Sequence, residues 1–178
     1  MRRPPHHRDM GIRYYAYPVP SEQTEAALAS PREFMSADPL ADAWGLVPSG
    51  DGVSERMGAK PVPEMLYLDK CWPLLQRLTG PQGGRDSISY LLFEGQVTWT
   101  PRGHIPWTKA LSPEDVARIA DDLAEFDEAD VDRLIDGSDF DPRVRRDDRD
   151  YLLFHLRKAQ EFTAMLRRTE RGLVYEIG

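Results

Sequence analysis

Tyr67-Leu68-Asp69-Lys70-Cys71-Trp72-Pro73-Leu74-Leu75-Gln76-Arg77-Leu78-Thr79-Gly80 carries an apolar stripe at the helical period. Leu68, Cys71, Trp72, Leu75, Leu78 and Thr79 recur at the i, i+3, i+4, i+7 spacing of one helix face. Lys70, Pro73, Gln76 and Arg77 fall on the opposite side. Asp69 is placed to accept from the free amides of a first turn. Pro73 falls in that turn, where a missing N–H costs little. Gly80 followed by Pro81 is a stop signal, with glycine expected in the left-handed conformation. The spacing predicts a helix over 69–79 with one buried face, and so a core that receives it.

The flanking sequence supplies the rest of a small domain. Gly11 to Pro18 is rich in aromatic and β-branched residues and reads as a strand, with Ile12, Tyr14 and Ala16 on one face. Ser21 starts a short helix through Ala29, and 31–46 holds further helical turns. The segment 48–63 is rich in glycine and proline and reads as a flexible loop. Ile88 to Phe93 is a short apolar run, read as a buried strand turning at Glu94-Gly95, with Val97 to Thr100 returning beside it. Trp107 to Leu111 is a further strand candidate. Ser112-Pro113-Glu114-Asp115 opens a helix with a cap, a proline at the first position and an acidic third position. Val116, Ile119, Ala120, Leu123 and Phe126 form its stripe. A second helix spans 128–135. A long one runs from about Asp147 to Arg171 and buries Leu152, His155, Leu156, Ala159, Phe162 and Leu166. Gly172 is read as its end, before a terminal strand Leu173 to Ile177. The outcome is one α+β domain over 10–178, a small mixed sheet covered by helices, preceded by a disordered leader at 1–9.

Composition narrows the function classes. The chain has 178 residues, 40% of them apolar and 30% charged, enough for a sizeable core. The first nine residues are basic but precede no hydrophobic stretch, so they are not read as a secretory signal, and a cytoplasmic setting without a membrane association is expected. One cysteine forbids an internal disulfide and fits a reducing compartment. The net charge of −7 is segregated. Residues 112–136 hold ten acidic side chains against Arg118 and Arg133, and 143–171 hold nine basic against five acidic. Both stretches are helical by pattern, and they are expected either to attract one another as neighbouring helices or to form two solvated faces. An acidic chain with so mild a basic stretch is not expected to bind nucleic acid.

The start Met10-Gly11-Ile12-Arg13-Tyr14-Tyr15 and the phrase Leu68-Asp69-Lys70-Cys71-Trp72 closing in Leu78-Thr79-Gly80 match a known pattern. With Ala110-Leu111-Ser112-Pro113-Glu114-Asp115-Val116 and the terminal helix and strand, the chain resembles the YfbM-like family of small bacterial proteins, a domain of unknown function. The resemblance covers most of 10–178. It implies a single α+β domain and carries no catalytic residues with it. The 48–63 insertion and Pro73 have no match in the pattern.

No catalytic motif assembles from the residue types. His6 and His7 with Asp9 would make only a weak, unselective metal site. Asp136 to Asp141 fails the calcium-loop template, because Phe140 takes the fifth ligand position and Asp141 the place of glycine. Gly80 to Arg85 lacks the ending of a phosphate loop. Cys71 and His155 fall on core stripes, as a packed thiol and a buried imidazole. No metal or cofactor is expected. What remains is an aromatic-rich middle segment, Trp99, His104 and Trp107, with Tyr15, Tyr17 and Trp44 as further members. Lys70, Trp72, Glu94 and Arg102 lie near enough in sequence to shape a site. The expected function is a non-catalytic module that binds a protein partner, an immunity-type role being one form of it. The alternative is a small-molecule sensor or enzyme using His104 and Glu94.

Overall fold

The computed structural model describes residues 11–48, 54–56, 64–83, 86–137 and 142–178. His6, His7, Asp139 to Asp141 and most of 48–63 lie outside them. The central sheet has four strands. In chain order they are β1 (Tyr14–Val19), β4 (Leu66–Asp69), β7 (Trp107–Leu111) and β8 (Gly172–Ile177), and in space the order is β4-β1-β8-β7. Every pairing is antiparallel, so the expected mixture of strand directions is absent. Two short hairpins flank the sheet, β2 (Leu46–Pro48) with β3 (Ser54–Arg56), and β5 (Thr98–Thr100) with β6 (Gly103–Ile105). The helices are α1 (Thr24–Ala29), α2 (Pro39–Trp44), α3 (Trp72–Thr79), α4 (Pro113–Leu123), α5 (Glu128–Asp136) and α6 (Pro142–Arg168).

Alternation along the strands divides the molecule into layers. Tyr14 and Ala16 of β1, Leu66 and Leu68 of β4, and Leu173, Tyr175 and Ile177 of β8 face a large inner core. That core is closed by the stripes of α3, α4, α5 and α6, with Leu75, Ile119, Leu152 and Leu166 wholly buried. On the other face Val19, Ala110 and Val174 meet Ala27, Tyr17, Phe34 and Met35 in a smaller cluster. The short helical segment from Ser21 to Trp44 covers this second face. The α+β domain with its long helix and closing strand is therefore as the sequence leads one to expect.

Several boundaries differ, for reasons that lie in side-chain bonding. Tyr67 to Asp69 is strand, because Leu66 and Leu68 alternate at the period of two, and the helix starts only at Trp72 with Cys71 as its N-cap. Asp69 adopts φ +47° and directs its carboxylate elsewhere instead of capping. Gly80 is extended, not left-handed. Ile88–Leu92 is a 3-10 helix capped by Ser87, not a strand. Tyr14 Oη donates to Leu92 O at 2.9 Å and Tyr175 Oη donates to Leu91 O at 3.1 Å, taking carbonyls that a strand ladder would need. β5 therefore pairs with β6 and not with 88–93. Helix α6 ends in a Schellman turn whose left-handed residue is Glu170 at φ +52°, while Gly172 opens β8. Arg171 N bonds to Leu166 O at 3.0 Å and Glu170 N to Arg167 O at 3.2 Å, the paired bonds of that motif.

Candidate functional site

The β5–β6 hairpin stands apart from the central sheet, and all six of its strand residues are exposed. Trp99 and His104 face each other across it with ring centroids 5.6 Å apart in an edge-on arrangement. Gly103, at φ +145°, supplies a backbone shape that other residues rarely adopt at the turn. Trp99 is 45% exposed, Ile105 47% and Trp107 39%. Trp107 follows the hairpin at the start of β7, and its indole lies on the backbone of Gly95. A side chain at 95 would overlap that ring, and Gly95 also sits at φ +112°. Gln76 Nε2 holds this segment by donating to Phe93 O at 2.6 Å and Gly95 O at 2.7 Å. Tyr175 Oη adds a bond to Glu94 O at 2.8 Å. Trp107 therefore rests on a floor held by these hydrogen bonds.

A cleft of about 490 Å³ adjoins Trp107, walled by Pro31, Arg32, Glu33, Pro106 and Thr108. Arg32 donates to Pro106 O at 3.0 Å, tying the covering segment to the end of the hairpin. Glu176 lies beside it and accepts from Thr108 Oγ1 at 3.4 Å. Burial raises the Glu176 carboxyl, against the Thr108 bond and the charges of Arg32 and His104, which lower it.

Of the sequence candidates, Trp99 and His104 meet across the hairpin, and Trp107 follows it on β7, packed against Gly95. Glu94 is close by in chain, but its carboxylate forms an ion pair with Lys109. Among the described residues no hydrogen bond or ion pair joins Glu94 to His104. Trp72 belongs to the core at 7% exposure, with Nε1 donating to Ile12 O at 3.5 Å. Lys70 is exposed at the β4 edge, on the far side of the sheet from β7, three strand spacings or roughly 14 Å away. Trp44 is also exposed and lies against Tyr67. Ile105 was not singled out from sequence; its place opposite Thr98 in an unburied hairpin is what exposes it.

A second polar group surrounds Asp69. Its Oδ1 accepts from Tyr67 Oη at 3.0 Å and Arg13 Nε at 3.2 Å, and its Oδ2 accepts from Tyr151 Oη at 2.9 Å. Burial would raise this carboxyl, but the two phenols, the Lys70 amide and the Arg13 charge together hold it below the usual value. Lys158 donates to Tyr67 O at 3.0 Å. His155 packs edge-on against Tyr151 at 4.6 Å and is 4% exposed, and its Nδ1 finds no partner among the described residues. Burial first, then the Lys158 charge, pushes its pKa down to about 4, with Asp69 opposing. Cys71 is wholly buried, and burial pushes its thiol far up, the reverse of what a nucleophile needs. Both carboxylate oxygens of Asp69 accept from donors of its own chain, so the cluster fastens β1, β4 and α6 together. No group of three or more His, Cys, Asp or Glu residues among the described residues could hold a metal ion. No helix among them is long and apolar enough to cross a membrane.

The fold and surface define a class: a single α+β domain in which an antiparallel four-stranded sheet is closed by a long helix and the strand that follows it. A solved structure with this fold is that of YfbM from Escherichia coli, a protein of unknown function. It superimposes with a TM-score of 0.54 over 94% of this chain and 99% of its own, at 17% identity. The chain therefore has the YfbM-like fold. No protein-family profile and no curated protein sequence matches it.

Proposed function

We propose that this protein is a non-catalytic binding module that engages a protein partner through the β5–β6 hairpin and Trp107. The observation that carries the reading is the exposure of Trp99 and Ile105, on the two faces of a hairpin whose strand residues add nothing to the core, and of Trp107 just beyond it at the start of β7. Large aromatic side chains at a rigid, solvent-facing position are the residues that dominate binding energy when a partner desolvates them. Their floor is already ordered, so association costs little further ordering. The acidic helices are the weaker docking surface. Arg149 pairs with Asp132 and Glu128, Arg157 with Glu128, and Arg167 with Asp121, so much of their charge is met within the molecule. An immunity-type role is one form such a module takes. The enzyme alternative draws no support from His104 and Glu94, because each is engaged separately.

The test is quantitative capture from native lysate with the wild type and a Trp99→Ala/Trp107→Ala double variant whose circular dichroism and melting are first matched. The reading expects a stoichiometric partner that the double variant retains at about one tenth of the wild-type level or less, as for loss of two anchor residues. Equal retention by both proteins would overturn it.

A further inference from the structure

The hairpin surface differs in charge from the rest of the chain. From Gly95 to Pro113 there is no aspartate or glutamate, although the whole protein holds 30 acidic residues and a net charge of −7. The same stretch carries Arg102, His104 and Lys109. Lys109 is neutralised by Glu94 beneath it. Arg102 is exposed at the hairpin turn, between the paired ends Thr100 and Gly103, and has no ion pair among the described residues. Of the acidic residues near this surface, Glu94 is paired with Lys109 and Glu176 is half-buried beside Thr108 and within the field of Arg32 and His104, while Glu33 is exposed in the wall of the cleft beside Trp107, next to Arg32. A hairpin that carries Arg102 and no carboxylate of its own, on an acidic molecule, repels an acidic segment less than the remaining surface does.

We infer that the segment recognised by the β5–β6 hairpin is an acidic stretch of polypeptide, its carboxylates meeting Arg102 and its apolar side chains resting on Trp99, on the hairpin face that Trp99 shares with His104. This rests on the binding-module reading and adds the chemistry of the partner. A charged guanidinium with no internal partner gives a bidentate site for a carboxylate without breaking any existing pair. The acidity of the rest of the chain then acts as a filter on register, since an acidic segment displaced toward α4 and α5 meets like charge.

Three short peptides differing only in charge test the inference: a Glu-Glu-Leu repeat, the Lys-Lys-Leu repeat and the Gln-Gln-Leu repeat, with oligothymidine as a fourth probe. Each is titrated into the full chain labelled with nitrogen-15, and amide shifts are followed. The glutamate peptide is expected to shift residues 98–109. Its affinity should fall about tenfold in Arg102→Glu and on raising salt well above the physiological range. Equal binding of the lysine or glutamine peptide would overturn the inference, as would shifts confined to other surfaces or tighter binding of oligothymidine at the hairpin. If no peptide binds, yet capture of a lysate partner still depends on Trp99 and Trp107, the module reading stands and the acidic-partner inference falls. If capture is also independent of those tryptophans, both fall.

Discussion

Asp69 sits at φ +47° because three donors fix where its carboxylate must be, and no regular strand or helix geometry reaches all of them. Aspartate tolerates that conformation better than most residues. Asn tolerates it too, so Asp69→Asn isolates the charge. It is expected to lower stability by about 1–2 kcal/mol, the larger figure for charged hydrogen bonds being trimmed by partial exposure. A urea melt reads this, and an unchanged midpoint would contradict the account. Glu170 is the other non-glycine residue with positive φ among the described residues. Glu170→Gly should raise stability by up to about 1 kcal/mol, relief of the left-handed strain being partly offset by a looser unfolded chain. His155 gives a pH signature. Its unfolded imidazole takes a proton near pH 6.5, whereas the folded one resists until about 4. The unfolded state therefore binds more protons between these values, and stability falls as pH drops through that window. Urea melts of His155→Leu should lack this part of the slope, and identical slopes in the two proteins would refute the burial reading. The burial of His155 and Cys71 was legible from their helical spacing. The role of Asp69 was not, because its partners Arg13, Tyr67 and Tyr151 come from three elements and no local pattern announces them.

Among the elements, those set by a long repeat were the legible ones. Helix α4 begins where Ser112 and Pro113 predict, with Ser112 Oγ accepting from Asp115 N at 3.1 Å. Helices α5 and α6 follow their stripes. Short apolar runs were misread: Ile88 to Phe93 has the composition of a strand, and its 3-10 conformation is imposed by Tyr14, Tyr175 and Gln76 from elsewhere in the chain. Likewise β4 went unread just before the expected helix, because Leu68 also fits the helical stripe. The expected attraction between acidic and basic helices is realised, with Glu128 receiving both Arg149 and Arg157. These pairs are exposed, so Glu128→Gln should shift a urea midpoint only slightly, and less still in high salt. A large, salt-independent loss would show that the pairing carries more of the fold than its exposure allows. The hairpin floor is less forgiving. Gly95→Ala places a methyl group against the Trp107 ring at a backbone angle unsuited to alanine. It is expected to cost about 1–3 kcal/mol and to change tryptophan emission as the indole is displaced. Unaltered stability and emission would mean that Trp107 is not held by Gly95.

For the molecule as a whole, the YfbM-like architecture persists at 17% identity because its requirements are coarse: an alternating sheet, four helical stripes and a closing strand. Those requirements can be read in one sequence. A binding surface cannot be read the same way, since exposure of Trp99 and burial of Trp72 follow from the tertiary arrangement and not from residue type. The sequence placed Trp99, His104 and Trp107 close together in chain, and the structure adds the hairpin that carries Trp99 and His104, with Trp107 following on β7. The central claim is that this hairpin is where a partner docks. Hydrogen–deuterium exchange on the full chain, free and saturated with its captured partner, tests it most directly. The account predicts that new protection concentrates in residues 98–109, with little change across α4 and α5. Protection centred on the helices, with the hairpin exchanging as in the free protein, would contradict it.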